Sequence, residues 1–229
     1  MEQGRSILEG DLKHELHREL SSGSSMSAIS RHASVPRTSL SKFQRGDTGL
    51  NLSVASALYN TLRLGPHFIR GATAVQRELE YAVERSHKYI CAIGSHDTNR
   101  QFLDGIGGAV NRGVVYRRVV HGVLTPQLEA HLNEVEGFRN VELRYLPAAG
   151  HVRYQNLIVV DEFDVIMMLG EVHTRSQSAM KFTGQAFGEQ FLQYFQSIFL
   201  KADPYSRADF ERREGHDHDE ARQARVQIT

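Results

Sequence analysis

The sequence predicts an α+β multidomain chain, an all-α N-terminal bundle followed by an α/β domain with a mixed sheet. Two observations carry this. The first 64 residues repeat apolar side chains at helical spacings and contain no β-rich run. From residue 73 onward, helical patterns alternate with short runs rich in Val, Ile and Tyr, as in a buried sheet flanked by helices. Gly65-Pro66 and Gly71 punctuate the join, so the chain is expected to divide near 65–72.

Taken in order, Ile7, Leu8, Leu12, Leu16 and Leu20 form one stripe of a first helix that ends in the serine-rich run 21–25. Ser24 or Ser25 can cap the next helix. Residues 26–46, MSAISRHASVPRTSLSKFQRG, read as two short helices joined by a tight turn, with Gly46 suited to end the second. Met26, Ile29, Ala33, Val35, Leu40 and Phe43 fall on the inner side. Arg31, Arg37, Lys42 and Arg45 lie in the same window, and no acidic side chain interrupts it. An apolar inner face with a basic outer face suits the DNA major groove. The alternative for so short a basic helix is an ordinary solvated face.

This window resembles the helix-turn-helix of phage Cro and repressor proteins, the Xre family. Its pattern ends in a turn with Val and then S-R-S-T-(I/L)-S-R-(L/F)-x-R-G. Here Ile29 to Val35 supply the first part and Pro36-Arg37-Thr38-Ser39-Leu40-Ser41-Lys42-Phe43-Gln44-Arg45-Gly46 the second. The resemblance covers about residues 6–66 and continues through Leu50-Asn51-Leu52 into a fourth helix over 53–64. Pro36 departs from the pattern but suits the first turn of a recognition helix. The resemblance implies Ser27, Arg37, Thr38, Ser39, Ser41, Lys42 and Arg45 as the DNA-binding set.

Beyond the join, a helix over 73–85 leads to a strand at 89–94, a helix at 101–112 and a strand at 114–121. A helix at 126–135 precedes a strand at 141–146. Strands at 156–161 and 164–169 follow, with a tight connection between Asp161 and Asp164. A strand at 178–182 and a helix at 186–199 close the domain. Residues 205–229 are charged without apolar periodicity and are expected to be a disordered tail. The predicted domains are thus 1–68, 72–203 and the tail.

Residues 72–203 resemble the phospholipase D fold. The likeness rests on element order, on RYQNLIVVDEFDVIMMLG at 153–170 and on the closing segment from Lys181-Phe182-Thr183 to Phe199. In that family a strand opens with His-x-Lys and reaches Asp a few residues later, and the His attacks phosphorus while the Lys neutralises phosphate charge. Anchoring on Asp161 puts Tyr154 in the His slot and Asn156 in the Lys slot, and starting at His151 puts Ile158 where Asp is required. Tyrosine, with a reference pKa of about 10, is a weak nucleophile near neutrality. Asparagine donates a hydrogen bond but no charge. The sequence therefore predicts a chain that is not an enzyme, with Asp161 kept as a structural turn residue.

Other constellations are weaker. Ser95-His96-Asp97 and His121 follow predicted strands, so Ser95, His96, His121, Tyr154 and Asn156 form a candidate ligand pocket at the sheet's carboxyl edge. Ordinary loop polarity and Asx-turn chemistry are the simpler account of Ser95 to Asp97. Gly105-Ile106-Gly107-Gly108 sits within a helix and lacks the strand context of a phosphate loop. His216-Asp217-His218-Asp219 resembles a metal cluster by composition alone. No cofactor or metal site is predicted.

Composition narrows the partners. Lys plus Arg and Asp plus Glu are equal at 27 each, so any nucleic-acid contact is local. The N-terminal seventy residues carry nine basic against six acidic side chains, which supplies that asymmetry. The single cysteine, Cys91, lies in an apolar run, reads as a buried thiol and suits a reducing cytoplasm. No membrane span or secretory leader is expected. The reading is a cytoplasmic, sequence-specific transcription regulator acting as a homodimeric repressor on a palindromic duplex operator. Its phospholipase D-like domain would dimerise the chain or sense a small-molecule or protein effector. The alternatives are a phospholipase D-type nuclease or phosphodiesterase with a DNA-targeting helix-turn-helix, and an antitoxin or phage-immunity regulator.

Overall fold

The computed structural model describes residues 2–94, 100–121, 126–146, 154–169 and 178–205, with the side chains of residues 2–8 and 52 excepted. Ser95, His96, Asp97, His151, Gly170 and the tail after residue 205 therefore lie outside the described residues.

Four helices come first: α1 (Glu2–Ser21), α2 (Met26–Ala33), α3 (Arg37–Arg45) and α4 (Leu52–Thr61). Leu12 and Leu16 from α1, Ile29 and Ala33 from α2, Leu40 and Phe43 from α3 and Leu58 from α4 close one apolar core. One member comes from far along the chain, Phe163, which is 3% exposed.

The rest builds one eight-stranded mixed sheet. Its strands are β1 (Gly65–Arg70), β2 (Tyr89–Ile93), β3 (Val115–His121), β4 (Val141–Leu146), β5 (Leu157–Val160), β6 (Asp164–Leu169), β7 (Ser178–Thr183) and β8 (Asp203–Pro204). Their spatial order is β1-β7-β6-β5-β2-β3-β4-β8. Among the described strands, the β2–β3 and β3–β4 pairs are parallel and the others antiparallel. Helices α5 (Ala72–Glu84), α6 (Arg100–Asn111) and α7 (Pro126–Val135) cover one face and α8 (Gln185–Phe199) the other. The two-residue period of a strand explains both cores. In β2, Ile90 and Ala92 join Leu79, Phe102, Ile106 and Leu128 on the first face, whereas Cys91 and Ile93 join Phe195 and Ile198 on the second. Burial on both faces is why β2 reads as a continuous apolar run.

Two strands are additions to the sequence reading. Residues 65–70, read as punctuation between domains, form β1, which pairs antiparallel with β7 from Gly65↔Thr183 to Arg70↔Ser178. Pro66 is tolerated because β1 is an edge strand. The short β8 pairs with β4 through Arg144↔Pro204 and Tyr145↔Asp203.

The tight connection at Asp161–Asp164 is a three-residue hairpin turn. Val160 pairs with Asp164, and Asp161 and Glu162 adopt left-handed φ values of 53° and 57°. The Asp161 carboxylate accepts backbone N–H bonds from His87 (2.8 Å), Lys88 (2.8 Å) and Tyr89 (2.9 Å), so it anchors the turn to the start of β2. Helix α8 crosses so closely that a Cβ at Gly188 would sit 1.9 Å from the Glu162 carbonyl oxygen. The turn is thereby fixed from both sides, and it presents Phe163 to the helical bundle.

Candidate nucleic-acid interface and sheet crevice

The α2–α3 surface is held by local chemistry. Ser25 caps α2, its Oγ accepting from the Ala28 N–H at 3.1 Å. The helix stops at Ser34 in the left-handed region, and Ser30 Oγ donates to the Val35 carbonyl at 2.6 Å, which ties the turn to α2. Pro36 is the N-cap of α3 with φ −55°, pre-set by its ring. Gly46, at φ 84°, ends α3, with its N–H bonded to Phe43 and the following Asp47 N–H to Lys42, a Schellman-type closure.

Leu40 and Phe43 are wholly buried, so the opposite side of α3 faces solvent. Arg37, Ser41 and Arg45 follow one i, i+4 row and Thr38 and Lys42 the neighbouring one. Ser27, Arg37, Thr38, Lys42 and Arg45 are exposed, while Ser39 and Ser41 are half-buried. Arg45 Nε is partly engaged by Asp47 at 2.9 Å in an exposed pair. The result is a compact basic and hydroxyl-bearing face of about two turns, braced from behind by an apolar core.

The second candidate lies at the carboxyl edge of the parallel strands. Gly94 ends β2, His121 ends β3, and Tyr154 to Asn156 lead into β5, whose Leu157 pairs with Ile93. The His121 and Tyr154 rings stand 5.7 Å apart. Asn156 Oδ1 is buried and makes no hydrogen bond among the described residues, although its backbone carbonyl accepts from the Met168 N–H at 2.9 Å. Gly94 is at φ 148°, and a Cβ there would meet Asn156 Oδ1 at 2.7 Å, so the close approach requires glycine. Thus His121, Tyr154 and Asn156 come together, whereas Ser95 and His96 lie outside the described residues.

Sequence reasoning missed Arg118. It is 2% exposed, and its Nε and Nη2 donate to the Gly94 carbonyl at 3.2 and 2.8 Å while Nη1 reaches Tyr116 Oη at 3.1 Å. The signal was present: strand parity places Arg118 on the inward side with Tyr116 and Val120. Cys91 is buried as expected, and burial pushes its thiol up to about 12.

A third polar assembly joins the helices to the sheet. Arg18 of α1 meets Asp164 of β6 at 2.5 Å and Glu15 at 3.1 Å. Arg85, the C-cap of α5, reaches Glu15 at 3.4 Å and Glu19 at 3.2 Å, and Tyr81 donates to Glu19 at 2.8 Å. Arg18 also lies over the Phe163 ring at 5.1 Å, and the His14 ring is 4.3 Å from it. Burial pushes the Glu15 carboxyl up to about 7, outweighing the opposite pull of Arg18 and Arg85. Burial also opposes charge on Asp164, but Lys181 and Arg18 prevail and hold its carboxyl below the ordinary range.

The chain matches no protein-family model and no curated protein. Solved structures do share its fold. The archaeal chromatin protein TrmBL2, whose structure shows a novel mode of DNA binding, aligns at TM-score 0.52 and 16% identity over 74% of this chain. The chain spans 65% of the length of that protein. Nuc from Salmonella typhimurium, a phospholipase D family member, aligns at TM-score 0.52 and 18% identity over 61% of this chain and 98% of its own. NucT from Helicobacter pylori gives TM-score 0.52 and 11% identity with the same coverage. These likenesses correct the expectation that the chain is not an enzyme, because the sheet and its helices have the architecture of a family of enzymes. The fold is phospholipase D-like, joined to a helical N-terminal unit.

Proposed function

We propose that this protein is a DNA-binding regulator that reads duplex DNA through a helix-turn-helix formed by α2 and α3, of the Xre type. The observation that carries the reading is the outward face of α3, where Arg37, Thr38, Ser41, Lys42 and Arg45 share two adjacent rows above the buried Leu40 and Phe43. A recognition helix in the major groove presents its N-terminal side chains to base edges, which assigns Arg37 and Thr38 to bases. Ser27, Ser39, Ser41, Lys42 and Arg45 then contact bases farther along or phosphates. The likeness to TrmBL2, a DNA-binding protein, supports a DNA partner.

A single head of this size buries too little DNA to be highly specific, so the phospholipase D-like body is assigned the role of pairing two chains on a palindromic operator. Repression by occlusion needs no polymerase-contacting surface and is the direction adopted. The experiment is selection of bound sequences from a random duplex pool, followed by titration of the full chain. Two inverted half-sites about one helical turn or a multiple apart are expected. A pool with no enriched motif contradicts the reading.

The likeness to Nuc favours a second reading, phosphodiester chemistry at the sheet crevice. There His121 and Tyr154 are the side chains whose type suits general acid–base work, and the buried Asn156 Oδ1 is an acceptor for a hydroxyl or water hydrogen at the site. Incubation with labelled duplex and single-stranded DNA tests it. Cleavage that is lost in Tyr154→Phe and His121→Ala would establish it, and cleavage unaffected by either would place the activity elsewhere.

A further inference from the structure

A cleft of about 640 Å³ opens where the helical head meets the sheet body. It is separate from the crevice at the carboxyl edge of the sheet. Its walls come from α1, α2 and the α4–β1 turn on one side, and from α5 and β7 on the other. That volume is in the range of small-molecule sites, which favour junctions between structural units.

Its polar groups are unevenly committed. The carboxylates are engaged by the protein itself. Glu19 accepts from Tyr81 and Ser24, both at 2.8 Å, and from Arg85 at 3.2 Å. Glu78 accepts from Lys181 at 2.9 Å. The donors at the mouth are largely uncommitted. Arg77 is exposed and makes no hydrogen bond or ion pair among the described residues. Arg63, 76% exposed, has among the described residues a single 3.4 Å side-chain contact, with Glu78. His32 is exposed, and its Nδ1 lies 3.0 Å from the Ala28 carbonyl; with Nδ1–H donating there, Nε2 of the neutral ring is an acceptor that can take the hydrogen of a P–OH group.

A cleft whose acceptors are satisfied and whose donors are not favours an anion. The two arginines arrive from the α4–β1 turn and α5 and His32 from α2, so the three groups belong to different elements of the cleft wall. That arrangement suits the three terminal oxygens of a phosphate monoester better than a planar carboxylate, and Arg is the side chain best adapted to such oxygens.

We propose that this cleft binds the phosphate group of a small phosphate monoester through Arg63, Arg77 and His32. Such a ligand touches head and body together, so it stabilises their docked arrangement by its differential affinity for that arrangement. The consequence for operator affinity rests on the DNA reading above; the binding itself does not. The DNA backbone offers the same phosphate chemistry, so the decisive arms use DNA-free protein.

Isothermal titration of the full chain with glycerol 3-phosphate, inorganic phosphate and glycerol tests the assignment. Saturable binding of both phosphate compounds and none of glycerol is expected. Arg63→Gln combined with Arg77→Gln is expected to weaken it at least about tenfold, a loss readily resolved by titration. Both side chains are exposed, so the variant is expected to keep its circular dichroism spectrum and melting temperature. Arg37→Ala, on the α3 face, is expected to bind phosphate like the wild type. Absence of saturable phosphate binding overturns the proposal. So does binding that survives the double substitution, or that is lost in Arg37→Ala.

Discussion

Arg18 and Asp164 are separated by 146 positions in the chain, yet their guanidinium and carboxylate meet 2.5 Å apart with both side chains buried. This pair fastens α1 to β6, and with Phe163 it makes the β5–β6 turn part of the core of the helical head. The head is therefore not merely tethered to the sheet. Any motion of the helical head relative to the sheet body must disturb this contact.

Removing one partner is expected to be costly. Arg18→Met leaves the Asp164 carboxylate buried with weakened compensation, Lys181 remaining 3.8 Å away, and a loss of about 3–5 kcal/mol is expected in urea unfolding. Arg18→Met combined with Asp164→Leu is expected to recover much of it, because the unpaired charge is gone. A single variant as stable as the wild type would show that the pair contributes little.

Phe163 provides a second check. Phe163→Ala removes a buried ring from a core otherwise built by α1 to α4, at an expected cost of about 3–5 kcal/mol. The same geometry predicts that residues 1–70 alone fold poorly. That fragment lacks Phe163 and Asp164 and leaves β1 without β7. Amide exchange in α1 and α3 measures both effects, and native-like protection in the fragment would refute the second.

Stability is also expected to depend on pH through Glu15. Its carboxyl rises from 4.5 to about 7 on folding, chiefly by burial. A raised folded value means that the group's contribution is fully present below 4.5 and is lost as pH climbs toward about 7. Asp164 works in the opposite sense, because its depressed carboxyl contributes stability above its ordinary value of 3.8 that is lost in acid. Glu15→Gln is thus expected to melt higher than the wild type at pH 8, with the difference shrinking toward pH 4.5. A difference that does not change with pH would exclude Glu15 as the titrating group.

The periodic elements were legible in the sequence because their apolar patterns are strong. The α2–α3 pair, the turn at Asp161 and the buried thiol of Cys91 follow from local spacing and side-chain chemistry. What could not be read depended on long-range partners. β1 is a strand only because β7 lies beside it, and its Pro66 looked like a break. The buried contact of Glu15 with Arg85 has no local signature, because the two residues stand 70 positions apart. The departure at Tyr154 and Asn156 was legible as chemistry, but inferring a non-enzyme from two positions gave too little weight to the architecture around them.

The most direct test of DNA reading by α3 is titration of the full chain and two variants onto one selected operator over a range of salt concentrations. Arg37→Ala is expected to cost about 1–3 kcal/mol and to relax base preference at one position. Lys42→Ala is expected to weaken binding more evenly across sequences and to lower the salt dependence by about one phosphate contact. Unchanged operator affinity and unchanged salt slope after replacing both Arg37 and Lys42 would contradict the assignment of α3 as the recognition helix.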